Sequence, residues 1–246
     1  MNKVDHVCRI TTIKPLTAST FEVELQAAAA AVLQYRAGQY LALELDLNKD
    51  GQAQTLLYTI ANAFDPERPQ RLQLFIQNNS TFSAKVVDYL SKLSANNDKV
   101  KVTLSMGKAY LQTDLSLPHL LVAAGSGISK IKCLTEQILR QQPDATVSIY
   151  WSNKRADDFY LLDQFQTWVS QNNTLKFTPV LESASDDWPG RSGYLYRVIE
   201  QDFNHLEGTQ AYLCGSPNMV YGTLEGLESV GLQKDNCYSD VFELSR

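Results

Sequence analysis

The sequence predicts a two-domain fold, an N-terminal antiparallel β-barrel with one helix followed by a C-terminal α/β domain built on a parallel sheet. In the first half, short segments alternate apolar and polar side chains, which is the pattern of strands with one buried face. From residue 120 on, apolar runs of strand length alternate with segments of helical periodicity, as in a parallel sheet covered by helices. A chain of 246 residues has room for two such domains.

The composition argues against several classes of protein. The net charge is −5, and no cluster of Lys and Arg favours nucleic acid or an anionic membrane as a partner. The N-terminal residues lack the apolar core of a secretion signal, and no apolar run reaches the ~18 residues of a membrane span, so we expect a cytoplasmic protein. The four cysteines form no C-x-x-C pair and the three histidines are scattered, so no metal site is expected.

Six strands and one helix are predicted in the first domain. Alternation and β-branching favour strands at residues 4–13, 20–25, 40–47, 55–61, 71–77 and 100–104. Residues 27–31 resemble a helix fragment between two strands and are interpreted as a loop with a helical turn, whereas Asn48-Lys49-Asp50-Gly51 predicts a hairpin turn. Apolar residues at helical spacing predict a helix at residues 82–93. This set of elements is typical of a small antiparallel barrel.

The second domain is predicted to begin after a boundary near residues 114–118. Its expected strands are residues 120–124, 146–151, 175–181 and 210–214, with a closing strand over 236–244. The intervening helices are expected to run to residue 141 and over residues 158–169, 194–203 and 219–229. We therefore predict domains at residues 1–114 and 118–246.

Three turns follow strands of the predicted parallel sheet, where such sheets bind their ligands. They are Gly125-Ser126-Gly127, Ser152-Asn153-Lys154-Arg155 and Cys214-Gly215-Ser216-Pro217. A glycine has no Cβ, so a pyrophosphate or a flat ring can approach the backbone at the first turn closely. Taken alone, this turn is equally compatible with an ordinary connection between a strand and a helix.

The order of motifs resembles the ferredoxin–NADP reductase superfamily, and within it the bacterial NAD(P)H–flavin reductases. The stretches that carry this resemblance are YRAGQYLALELD, LLYTIANA, AAGSGIS, IYWSNKR, YLCGSPNMV and YSDVFEL, in the family's order. The resemblance covers nearly the whole chain. It implies a flavin-binding β-barrel at residues 1–114 and an NAD(P)-binding, Rossmann-like domain at residues 118–246.

Candidate flavin contacts follow from the resemblance. Hydride passes between a nicotinamide and a flavin only when the two rings stack at roughly 3–3.5 Å, so the protein must hold both rings. The expected flavin contacts are Tyr40, Tyr58, Thr59 and Ile60, with the Thr59 hydroxyl donating to flavin N5. From spacing alone, Tyr58 and Thr59 are better interpreted as two ordinary strand residues, and the resemblance reverses this interpretation.

Candidate nicotinamide-nucleotide contacts lie in the second domain. The resemblance places the cofactor on Gly125, Ser126, Gly127, Ser129, Ser152, Gly215, Ser216, Pro217 and Met219. Cys214 is expected to floor the nicotinamide pocket and Asp240, in the closing strand, to assist protonation, although a buried thiol and a surface carboxylate are the plain alternatives. Lys154 and Arg155 could pair with a 2′-phosphate, but they could equally contact the pyrophosphate or be solvated. No Asp or Glu ends this strand, which slightly favours NADPH, with NADH also accepted.

One position departs from the family. The flavin strand normally begins with Arg, and here the residue is Leu56, which removes a cation for a flavin phosphate. The leading hypothesis is therefore a metal-free NAD(P)H–flavin reductase that transfers hydride to a loosely bound FMN, riboflavin or FAD, which then leaves for a downstream acceptor. The alternatives are an FAD-containing reductase that passes electrons to a protein partner, and a nucleotide- or flavin-binding module without turnover.

Overall fold

The computed structural model describes residues 3–184 and 187–244 and contains two compact units. The first unit comprises the chain up to Leu111 together with Lys132–Gln137, and the second comprises Gln112–Ile131 and the chain from Ile138 on. The first is antiparallel β and the second is α/β, as predicted.

The first unit is a six-stranded antiparallel sheet that curls into a barrel. Its strands are β1 (Val4–Thr17), β2 (Thr20–Ala27), β3 (Tyr40–Leu45), β4 (Gln54–Thr59), β5 (Arg71–Gln77) and β6 (Lys99–Met106), in the spatial order β4-β3-β6-β1-β2-β5. The two edge strands meet just beyond β4, where the Ala61 amide donates to the Gln73 carbonyl of β5 over 2.8 Å. This contact joins the two edges of the sheet, so the sheet closes into the barrel that the alternating pattern predicted.

Helix α1 (Thr81–Ala95) adds one apolar face to the barrel core. Val86, Val87 and Leu90 are buried in the same cluster as the inward-facing residues of the strands, and Cys8 is buried there as well. Burial raises the pKa of the Cys8 thiol to about 12, so this cysteine is an inert core residue. The side chain of Ser80 caps the helix in a reciprocal capping box with Ser83.

The second unit is a six-stranded parallel sheet with helices on both faces. Its strands are β7 (His119–Ala124), β8 (Val147–Asn153), β9 (Leu175–Leu181), β10 (Arg191–Ser192), β11 (Gln210–Cys214) and β12 (Cys237–Tyr238), in the spatial order β10-β9-β8-β7-β11-β12. The chain first adds strands on one side of β7 and then returns to add β11 on the other side. The strand order therefore reverses between β7 and β11, which is where open α/β sheets bind ligands.

The helices of this unit are α2 (Ile128–Gln141), α3 (Leu162–Gln171), α4 (Leu195–Asp202), α5 (Pro217–Leu227) and the short α6 (Val241–Leu244). Helices α4 and α5 share one buried cluster with Leu120 and Val122 of β7. On the opposite face, Trp151 of β8 contacts Phe165 of α3, with ring centroids 6.5 Å apart. Among the described residues, no helix is both long enough and apolar enough to cross a membrane.

Most predicted elements are present, but the C-terminal prediction was wrong. The predicted closing strand is only two residues long, and the residues after Tyr238 turn into α6. The turn is stabilised by the Ser239 hydroxyl, which accepts a hydrogen bond from the Val241 amide. Asp240 thus lies beyond the strand rather than within it. Residues 27–31 contain a turn closed by the Ala31 amide on the Ala28 carbonyl, and the two-residue β10 was not predicted.

Candidate functional site

The glycine turn after β7 is shaped by two different requirements. Gly125 has a φ of 53°, in the left-handed region that favours glycine, and its carbonyl accepts a hydrogen bond from the Trp151 indole over 2.9 Å. At Gly127 the reason is space, because a Cβ there would lie 2.1 Å from the Cys214 carbonyl oxygen. The Ser129 hydroxyl donates back to the Ser126 carbonyl, so it stabilises the turn itself.

The turn after β11 packs directly against the first turn. A Cβ on Gly215 would lie 2.3 Å from Met219 Cε and 3.1 Å from Ala124 Cβ. Ser216 caps α5 by accepting a hydrogen bond from the Met219 amide, and Pro217 occupies the first turn of that helix. The structure therefore brings the two predicted turns together at the point where the strand order reverses.

Cys214 is a neutral thiol at this point. Burial raises its pKa to about 11, with Asp240 adding to the shift and Lys130 opposing it. A thiol with this pKa is protonated at neutral pH and is a poor nucleophile. Cys214 can therefore form a wall for a flat ring, and covalent chemistry at its sulfur is disfavoured.

Asp240 is held by a buried lysine that the sequence analysis did not identify. Lys130 Nζ lies 3.0 Å from Asp240 Oδ1 and 2.9 Å from Oδ2. This ion pair fixes the position of the Asp240 carboxylate, whose remaining lone pairs can accept a further hydrogen bond.

A cavity of about 520 Å³ opens at the carboxyl ends of β7, β8 and β9, a size typical of small-molecule sites. Among the predicted residues, Ser152, Ser216 and Met219 line it. Further lining residues include Glu182, Tyr194 and Thr223. The cavity thus combines hydroxyl groups, one carboxylate and aromatic surface, which are groups that can contact a ribose and a base.

Lys154 and Arg155 lie outside this lining. Both side chains are exposed, and Arg155 lies 3.5 Å from the Asp157 carboxylate. Among the described residues that line the cavity, the charged one is Glu182, which follows β9. A carboxylate suits the free hydroxyls of an NAD ribose and repels a 2′-phosphate.

Tyr194 was also missed by the sequence analysis. Its side chain is 75% exposed at the start of α4 and stacks on Tyr196, with ring centroids 5.8 Å apart. A large aromatic ring exposed at the rim of a cavity offers a face for a nucleobase. Glu182 could have been found by reading the residues that follow every parallel strand, whereas Tyr194 carries no such signal in the sequence.

The predicted flavin contacts are neighbours in the first unit. Tyr40 of β3 lies directly opposite Thr59 of β4, and Leu41 lies opposite Tyr58. Tyr40, Tyr58 and Thr59 are partly exposed, and burial raises the pKa of the Tyr58 hydroxyl to about 12. Ile60 is fully buried in the barrel core, so its backbone is the part that a ligand could reach.

A polar network fixes the segment that follows β4. Lys132 Nζ donates to the Ala61 carbonyl over 3.1 Å and to Gln73 Oε1 over 2.9 Å, and it pairs with Glu136. The other oxygen of Glu136 accepts a hydrogen bond from the Ala63 amide over 2.8 Å. These buried contacts hold the backbone immediately after Thr59, which favours a fixed position for its hydroxyl.

Leu56 packs where the resemblance expects an arginine. It lies opposite Leu43 and contacts the apolar core of the barrel. Near α1, the side chains of Ser80 and Ser83 already accept hydrogen bonds from the amides of residues 79, 80 and 83. Leu56 therefore offers no cation to a flavin phosphate, and the Ser80 and Ser83 hydroxyls are engaged in the capping box.

Comparison with known proteins supports the two-domain reading. Residues 121–225 match the model of the oxidoreductase NAD-binding domain family. A probable flavin reductase of Vibrio harveyi is 28% identical over 240 residues, covering 96% of this chain and 98% of the relative.

Two further proteins extend this comparison. The CDP-6-deoxy-L-threo-D-glycero-4-hexulose-3-dehydrase reductase of Yersinia pestis is 25% identical over 248 residues, covering 100% of this chain and 71% of the relative. A cytochrome P450 reductase of Amycolatopsis has a similar structure, with a TM-score of 0.83 and 22% identity over 96% of this chain and 69% of that chain. These findings confirm the fold and the resemblance to the ferredoxin–NADP reductase superfamily.

Proposed function

We propose that this chain, which resembles the ferredoxin–NADP reductase superfamily along nearly its whole length, is an NAD(P)H-dependent flavin reductase of the cytoplasm. The observation that carries the proposal is the pairing of a nucleotide-sized cavity with the Gly125–Gly127 and Cys214–Gly215 turns, where the strand order reverses. The similarity to a probable flavin reductase over 96% of the chain supports the acceptor.

The residues of the second unit hold the nicotinamide nucleotide. The glycine turn lets the pyrophosphate approach the backbone, and Cys214, as a neutral thiol, forms the floor beneath the nicotinamide. Asp240, paired with Lys130, accepts a hydrogen bond from the carboxamide, and its expected assistance to protonation stays a prediction.

The residues of the first unit hold the flavin. Bound nicotinamide nucleotide supplies a hydride, and bound flavin accepts it. Tyr58 packs against the ring, and Thr59, fixed by the hydrogen bonds of the segment behind it, donates to the ring nitrogen. Leu56 leaves the flavin phosphate without the arginine that the resemblance expects, so the flavin is a substrate that exchanges rather than a resident group.

NADH is the preferred donor in this proposal. Glu182 lines the cavity, and the cations that favoured NADPH lie outside its lining. Glu182→Gln should lower the ratio of kcat/KM for NADH to that for NADPH on the order of tenfold, because a carboxylate that binds ribose hydroxyls and repels phosphate is lost. Glu207→Gln is the matched control, since Glu207 is exposed and precedes β11, at the opposite end of the strands.

The proposal is tested by one spectrum and one set of rates. The purified protein should lose its flavin absorbance on desalting and then oxidise NADH when riboflavin or FMN is added. An intensely yellow protein that keeps FAD through desalting and reduces only a protein acceptor would instead support the electron-transfer alternative, which the Yersinia relative motivates. If the protein binds NADH but no added flavin leads to NADH oxidation, the alternative of a binding module without turnover would be supported.

A further inference from the structure

The ion pair between Lys130 and Asp240 is unusually well buried for a pair of charged side chains. The Lys130 side chain is 1% exposed and that of Asp240 is 20% exposed. Within the second unit, the pair joins the first turn of α2 to the segment between β12 and α6. Burying an ammonium is costly unless a counter-charge and hydrogen bonds replace its water, and here Asp240 provides both.

Fold stability gives no sufficient reason for placing a lysine here. Lys130 is the third residue of α2, where the helix dipole disfavours a positive charge. Replacing a buried ion pair by apolar residues of similar volume is often neutral or stabilising. A charged pair at this position therefore points to a role at the site it adjoins.

That site is the end of β11. Tyr212 pairs with Tyr238 in the parallel register of β11 and β12, and Cys214 and Asp240 each follow this pair by two residues, at the same end of the sheet. The electrostatic influence of both Lys130 and Asp240 on the pKa of the Cys214 thiol agrees with this proximity. On the other side of Cys214, Gly127 packs against its carbonyl. The pair thus adjoins the two turns to which the proposed function assigns the nicotinamide.

We propose that Lys130 is a charge-balancing positioning residue that sets how strongly this site discriminates between oxidised and reduced nicotinamide. The inference rests on the proposed function, because it requires the nicotinamide to lie beside Cys214. The ring is uncharged in NADH and carries a positive charge in NAD⁺. A lone Asp240 carboxylate would attract the oxidised ring and retain the product, whereas the neutralised pair lets NAD⁺ leave.

The test compares the dissociation constants of NAD⁺ and NADH without any flavin present. Lys130→Met should strengthen NAD⁺ binding relative to NADH on the order of tenfold, because the Asp240 charge is no longer compensated. Asp240→Asn should change the ratio in the opposite direction by a similar factor. The double variant Lys130→Met/Asp240→Asn has no net charge at this position and should return the ratio to within about twofold of the wild type.

The controls separate charge at this site from charge elsewhere. Lys234→Met and Asp235→Asn make the same charge changes at exposed residues of the same unit and should leave the ratio unchanged. If Lys130→Met does not fold, Asp240→Asn and the double variant decide the question. If both single variants fold and keep the wild-type ratio of NAD⁺ and NADH dissociation constants, the role of Lys130 is overturned but the proposed function is not. If the wild-type chain binds neither nucleotide, the proposed function is overturned as well.

Discussion

Thr59 is the residue whose role can be isolated most cleanly. It lies at the end of β4, opposite Tyr40, and the network behind it holds its backbone. Thr59→Ala should lower kcat at least tenfold and leave the dissociation constant of NADH unchanged, because the hydroxyl contacts the acceptor ring. Thr55→Ala is the matched control on the same strand, at an exposed position. Equal losses of turnover and NADH affinity would contradict the assigned role.

His119 predicts a pH dependence of stability. It is 2% exposed at the start of β7, and both ring nitrogens lack a hydrogen-bond partner within the described structure. Burial lowers its pKa to about 4 from 6.5, with Asp114 opposing the shift. Between these two values the unfolded chain binds a proton that the folded chain does not. The contribution of His119 to stability is therefore complete above pH 6.5 and is lost as the pH falls toward 4.

The expected size can be measured by urea unfolding at pH 7.5 and pH 5.0. Between pH 7.5 and pH 5.0, the wild type should lose about 2 kcal/mol more of its unfolding free energy than His119→Leu does. His205→Leu changes an exposed histidine and should retain the wild-type pH dependence. Equal pH dependence in the wild type and His119→Leu would show that His119 does not titrate as its surroundings suggest.

At the level of single residues, the sequence located positions better than contacts. Cys214 and Gly127 were selected from motifs, and the structure packs them against each other. Lys130 was overlooked because a lysine in a helix looks like an exposed residue until its partner is known. That partner, Asp240, is 110 positions away in the chain, and no local pattern connects the two.

At the level of elements, the turn between β7 and α2 offers the sharpest prediction. Gly127→Ala places a Cβ 2.1 Å from a backbone carbonyl that cannot move alone. We expect a loss of about 1–3 kcal/mol in unfolding free energy and weaker NADH binding, because the turn must shift. Gly222→Ala is a useful comparison for stability, since a Cβ there meets nothing within 4 Å and alanine favours the helix. Wild-type stability and NADH affinity in Gly127→Ala would contradict the close packing.

The predicted elements with strong periodicity were right, and those that depend on tertiary contacts were not. Strands β5, β9 and β11 begin and end at the predicted residues, because their alternation or apolar runs are complete in themselves. Strand β10 is two residues long and exists only by pairing with β9. The closing strand failed because Ser239 stabilises a turn that its apolar neighbours did not reveal.

At the level of the whole molecule, the change of pattern near residue 114 predicted two units. It did not predict that a segment from the second half of the chain belongs to the first unit. The middle of α2, Lys132–Gln137, belongs with the barrel by its contacts. Its side chains bond the Ala61 carbonyl and the Ala63 amide, which lie beside the joined sheet edges. Sequence patterns assign a helix to its neighbours along the chain, so this membership could not be predicted.

A fragment of residues 1–114 tests this membership. Without Lys132 and Glu136 the buried groups of residues 61 and 63 lose their partners, so we expect the isolated barrel to unfold at a lower urea concentration than the barrel in the full chain. The three tryptophans all lie in the second unit, so their fluorescence does not report on the barrel, whereas amide hydrogen exchange of Leu72 and Leu74 in β5 does. Equal protection in the fragment and the full chain would contradict the prediction.

Helix α2 also bears on protein engineering with relatives of this chain. A hybrid made by cutting between residues 111 and 118 would take its barrel from one parent and residues 132–137 from the other. The lysine and glutamate that complete the barrel would then come from the wrong donor. A hybrid should therefore take residues 132–137 from the parent that supplies the barrel, even though the rest of helix α2 comes from the other parent.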